Sequence, residues 1–94
     1  MATFFMFGKY TSEAVKGLSA ARTEKGNKLV EKNGGKVSSI HALMGDTDLV
    51  IIATFPDAAR AMKSSIALSR LTGIAFSTCE AVPVKDFDKM IAEI

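Results

Sequence analysis

The chain carries one histidine, one cysteine and one tyrosine, so any proton-transfer or nucleophilic chemistry is confined to few positions. His41 is the first candidate, because an imidazole shuttles protons near neutral pH. Its candidate partner is Asp48. If the hairpin between them pairs Leu43 with Asp48, the carboxylate lies diagonally from His41 on the same face, about 7 Å away between backbones, within reach of a hydrogen bond or one bridging water. His41 and Asp48 are therefore the candidate catalytic pair. A one-residue slip in register would separate them. The competing reading has Asp48 capping the hairpin turn through its carboxylate and His41 as a partly exposed strand residue. Tyr10, reaching over the end of the first strand, joins Ser39, His41 and Glu80 as candidate ligand-binding groups. Cys79 sits among Ser77, Thr78 and Glu80 with no basic neighbour, which favours a small buried apolar residue over a nucleophile. One histidine and scattered carboxylates give no metal-ligand spacing, and no glycine-rich phosphate loop follows a strand. Neither a metal nor a cofactor is expected.

The elements that must position these residues follow from periodicity and punctuation. Thr3 to Gly8 reads as a buried strand, followed by the hydroxyl caps of Tyr10-Thr11-Ser12 and a brief helical piece, Glu13 to Gly17. Ser19 caps a longer helix with a sparse apolar stripe of Leu18, Leu29 and Val30, which Asn33-Gly34-Gly35 stops. Val37 to Met44 and Thr47 to Phe55 form a hairpin across the short connection Gly45-Asp46. Asp57 caps a helix reaching about Leu71, and Gly73 ends it before the strand Ile74 to Val82. Pro83 closes that strand, and Asp86 to Ile94 makes a last helix with Phe87, Met90, Ile91 and Ile94 on one face.

This order is the split βαβ arrangement: an α+β, ferredoxin-like βαββαβ domain with a four-stranded antiparallel sheet and a C-terminal helix. At 94 residues the chain makes a single domain, residues 1–94. A sheet covered on one face should alternate in polarity, yet Phe5 and Phe7 oppose Phe4 and Met6, and Leu49, Ile51, Ala53 and Phe55 oppose Val50 and Ile52. Both faces want cover, and the chain is 48% hydrophobic. The economical solution is a homodimer packed sheet to sheet with a cavity between. The rival is a terminal helix folded back over the open face.

At Asn33 to Val50 the sequence meets a known pattern. The segments GGKV and LMGDTDLVIIATFPD resemble the GYD domain family, small proteins of the dimeric α+β barrel type. Gly34, Gly35, Gly45, Asp48, Pro56 and Asp57 fit the family's glycine pair, hairpin signature and Pro-Asp helix start. Thr47 stands at the signature tyrosine, His41 at a position where an aromatic often precedes the hairpin, and the last strand lacks the family's usual arginine. The resemblance implies the fold and the dimer, and it implies no particular activity.

Charge and apolar runs bound the partners. The net charge is +2, with lysines concentrated on the first long helix. No stacking aromatics lie among them, so a solvated helix face is expected and not a nucleic-acid surface. The run Phe4 to Phe7 is too short to cross a bilayer, so no membrane partner is expected. A lone cysteine suits a reducing cytoplasm. The leading functional reading is a small-molecule binding or regulatory module with a cavity at the dimeric sheet. The alternatives are a cofactor-free enzyme, of isomerase or monooxygenase kind, using His41, and a structural assembly subunit.

Overall fold

A computed structural model describes residues 1–94. Strand β1 (Ala2–Lys9) is followed by the short helix α1 (Ser12–Lys16), helix α2 (Ala20–Lys32), the hairpin strands β2 (Lys36–Ala42) and β3 (Leu49–Phe55), helix α3 (Ala58–Thr72), strand β4 (Ala75–Ala81) and helix α4 (Val84–Ala92). The expected caps hold these helices in place. Thr11, Ser19 and Asp57 each accept a backbone N–H from the first turn of their helix, and Gly73 ends α3 in the left-handed conformation at φ 77°. Such a φ is open to glycine at little cost. The last helix begins earlier than its charge pattern suggests, because Pro83 can stand at its N-cap and Val84 follows directly.

The four strands form one antiparallel sheet in the order β2-β3-β1-β4. β1 is central because it is apolar on both faces. Its even-numbered side chains, Phe4 and Met6, meet the helices, while Phe5 and Phe7 look the other way. A bulge at Ser38 shifts the register of β2, so that Val37 pairs with Ala53 and Ser39 with Ile52. Val37 and Ile40 thereby both turn toward the helices, while Ser39 and His41 turn away. The hairpin connection is longer than two residues. Pairing ends where Leu43 N–H donates to Asp48 O at 2.9 Å, and Gly45 takes φ 128° between them.

The core lies between the sheet and α2 and α3. Phe4, Met6, Ile51, Ala53 and Phe55 meet Val30, Ala61 and Leu68, with the rings of Phe4 and Phe55 edge to face at 5.7 Å. α3 approaches the sheet closely through the small residues Ala61 and Ser64, and Ser65 Oγ lies 2.9 Å from Thr78 Oγ1 of β4. Gly35 has a packing role beyond helix termination. A Cβ there would stand 2.5 Å from the Phe55 ring and 2.9 Å from Thr54 O, so only glycine lets the chain cross the ring.

Both helical layers sit on one side of the sheet. The open face carries Phe5, Phe7, Val50 and Ile52 at its centre, Ser39 and His41 on the β2 edge, and Ser77 and Cys79 on the β4 edge. α4 does not fold back over it, so the rival cover expected from the sequence is not formed.

Candidate functional site

The hairpin register places His41 opposite Val50 and Asp48 two steps further along, on the face and in the register expected. The carboxylate, however, serves the backbone. Asp48 Oδ2 accepts Tyr10 N–H at 2.8 Å, and Asp48 N–H donates to Gly8 O at 2.9 Å. Asp48 thus clips the end of β1 to β3 where the regular ladder stops. His41 is exposed and its ring makes no hydrogen bond within the chain, and the structure does not join it to Asp48. Replacing Asp48 by alanine should cost about 1–3 kcal/mol, the range for orphaning a part-buried donor of a charge-assisted bond. Urea unfolding of Asp48→Ala beside Asp48→Asn, which keeps an acceptor, measures it.

The candidate ligand-binding residues divide between the two faces. Ser39 and His41 share the open face. Glu80 pairs with Phe4 and so belongs to the helix face, exposed on the β4 edge. Three strand spacings of about 4.8 Å put these edges roughly 14 Å apart. Tyr10 continues the helix-facing side of β1 and leaves that group altogether. Cys79, expected to be buried, is exposed on the open face because β4 is an edge strand and no helix covers that side.

Tyr10 instead lines a cavity of about 70 Å³ between α2 and the helix face of the sheet. Its floor and walls are apolar: Ile40, Leu49, Ile51 and Phe76 from the strands, Leu68 and Ile74 from α3 and beyond. Its α2 side is lined by Arg22, Thr23, Gly26 and Asn27, of which Thr23 is exposed and the others are half-buried. α2 brings only Val30 fully into the core. A helix that must cover an apolar sheet and yet turns these residues toward it cannot fill the space beneath.

The polar groups in the cavity are only partly engaged. Arg22 Nη1 donates to Ala14 O at 2.6 Å and Thr72 O at 3.4 Å, holding the carbonyl ends of α1 and α3. No carboxylate pairs with it, the one ion pair of the chain being Lys28 with Glu24. The Asn27 amide and the Tyr10 hydroxyl have no hydrogen-bond partner in the chain. No His, Cys, Asp or Glu lines the cavity, so it holds no histidine, thiol or carboxylate for general acid–base or nucleophilic work. Sequence reading missed this site. The available signal was the shortage of apolar residues in α2, a helix with a sheet to cover.

No group of three or more His, Cys, Asp and Glu side chains converges anywhere to hold a metal, and no helix is long and apolar enough to cross a membrane. An antiparallel sheet ordered β2-β3-β1-β4 with its long packed helices on one face is a ferredoxin-like α+β fold. Within that fold the GYD domain profile matches residues 4–91, and the chain belongs to the GYD domain family. Neither a curated protein nor a solved structure matches it.

Proposed function

We propose that the protein is a small-molecule binding module, a homodimer joined through its open sheet faces, with the ligand held in each chain between α2 and the sheet. The observation that carries this reading is the cavity itself: an apolar chamber closed on one side by an arginine without a carboxylate partner and by an amide and a phenol without in-chain partners. Small-molecule sites combine an apolar lining with few convergent polar groups in this way. The ligand class follows from the lining. A compact apolar body suits Ile51, Leu68 and Phe76, and a carboxylate or carbonyl head suits Arg22 and Asn27. Binding is favoured over catalysis because the groups that move protons, His41 and Asp48, lie outside the chamber.

The test is methyl NMR with isobutyrate and isobutanol, two probes with the same branched carbon skeleton that differ in head group. Isobutyrate should shift the Ile51 and Leu68 methyl signals saturably, and isobutanol should bind about tenfold more weakly, the loss of one charge-assisted bond. Arg22→Gln should abolish that preference, with its thermal melt recorded beside it because Arg22 also holds two carbonyls. Shifts that do not saturate, or that centre on His41, would overturn the assignment.

A further inference from the structure

α4 is a finished amphipathic helix with nothing to lie on. Val84, Phe87, Met90 and Ile91 fall on one side at helical spacing, with Ile94 just past the helix end, and Lys85, Asp86 and Lys89 fall elsewhere. None of its residues is buried, and Phe87, Met90 and Ile91 are each about half exposed. A helix of nine residues does not hold its shape alone in water. Its apolar face therefore needs a surface, and its own sheet does not supply one. The link Val82-Pro83 is short and extended, with Pro83 at φ −56°, ψ 140°, and no other element packs along α4.

The dimensions of the chain say how much surface is wanting. It exposes 6315 Å², whereas a compact monomer of 10.0 kDa exposes about 5,200 Å². Its radius of gyration is 14.2 Å against about 12 Å for a compact domain of this length. The excess of about 1,100 Å² exceeds the roughly 800 Å² that one partner contributes to a standard-size interface. The chain also displays the complement of α4, an apolar sheet face with Phe5, Phe7 and Ile52 uncovered. A net charge of +2 opposes self-association little. The charges of α4 exclude an anionic lipid surface as the better fit, since Asp86, Asp88 and Glu93 outnumber Lys85 and Lys89.

We infer that α4 is an arm that docks on a second copy of the chain, laying Phe87, Met90, Ile91 and Ile94 against the margin of the partner's open sheet face, reciprocally in both directions. The inference rests on the sheet-to-sheet dimer proposed above and adds that each chain completes the cover of the other. Reciprocal contact is what two-fold symmetry requires.

The test compares the full chain with the double variant Phe87→Glu/Ile91→Glu by sedimentation equilibrium and by hydrogen exchange of the α4 amides. Both substituted positions are solvent-exposed within one chain, so the variant keeps its fold, which circular dichroism verifies. The full chain should sediment as a dimer with α4 amides protected in proportion to dimer population. The variant should dissociate at least about a hundredfold more readily, as when central apolar anchors of an interface are removed. A full-chain dimer whose α4 amides exchange as in a free peptide, with the variant dissociating no more readily, would overturn the arm while leaving the dimer standing. A monomeric full chain at about 100 µM would overturn both; if neutral phospholipid vesicles then protect α4, the helix is a lipid-binding one.

Discussion

Phe55→Ala is expected to unfold most of the protein at 37 °C. Phe55 has no exposed surface, its ring meets Phe4 edge to face, and the backbone of Gly35 lies directly against it. Removing a buried phenylalanine costs about 3–5 kcal/mol, because the cavity left behind collapses only partly. Here collapse is hindered, since Gly35 has no side chain to move into the space. Small domains have total stabilities near the low end of about 5–15 kcal/mol, so one such loss removes most of the margin. Chemical unfolding followed by circular dichroism measures it, with Phe55→Leu as the milder comparison. A cost below about 1 kcal/mol for Phe55→Ala, typical of an exposed site, would show that the eight-residue core cluster does not hold the fold.

The second large effect concerns association. If the chain is the sheet-to-sheet dimer proposed above, Phe7→Glu should turn it into a monomer that is still folded. Phe7 stands on the open face beside Phe5, with ring centroids 6.2 Å apart, and pairs with Val50 on one side and Ser77 on the other. Within one chain a glutamate there remains in water. In a sheet-to-sheet dimer two unpaired carboxylates would be buried near the symmetry axis, which costs several kcal/mol each. Light scattering reports the mass, and Cys79 supplies a second readout. Its thiol is exposed on the same face, two residues from the pairing position of Phe7. Reaction with a maleimide should be slow in the parent dimer and fast in the variant. A variant that remains dimeric, with Cys79 as slow as before, would place the interface elsewhere. The cavity proposed to take isobutyrate lies on the opposite face, so loss or retention of isobutyrate binding in Phe7→Glu also separates the two halves of the proposed function.

Much of this architecture is legible in the residues, because its determinants are local. Ser19 and Asp57 announce helix starts through their hydroxyl and carboxylate, and Gly73 announces a stop through its free φ. The runs around Phe5 and Ile51, apolar on both sides, announce strands that need two covers. What local pattern cannot carry is where a face finds its partner. The stripe of α4 is plain in the sequence, but its failure to reach its own sheet depends on the direction in which Pro83 sends the chain. The pairing of His41 and Asp48 was legible as register and not as chemistry. Nothing in the sequence says that the carboxylate will turn to the Tyr10 N–H, since that donor lies just past the end of β1, far away along the chain. The cavity was hidden for a related reason. Arg22 and Asn27 look like a solvated helix face, and only the sheet beneath them shows that they border a cavity. The bulge at Ser38 is equally invisible in the local pattern, and it decides which of its neighbours face the helices.

The strand order has a consequence for how the protein comes into being. β1, the first strand made, occupies the middle of the sheet, and its neighbours are β3 and β4. During synthesis Phe4, Phe5, Met6 and Phe7 emerge before both strands that flank them and wait for one that ends only at Ala81. The β2-β3 hairpin can form meanwhile, but the sheet cannot be completed until β4 has left the ribosome. Long-range pairings of this kind slow folding and leave apolar strands open to wrong partners. The interval between the first strand and the last is therefore when the nascent chain is most prone to aggregate. A truncation that removes β4 should accumulate as insoluble protein and not as a smaller soluble domain.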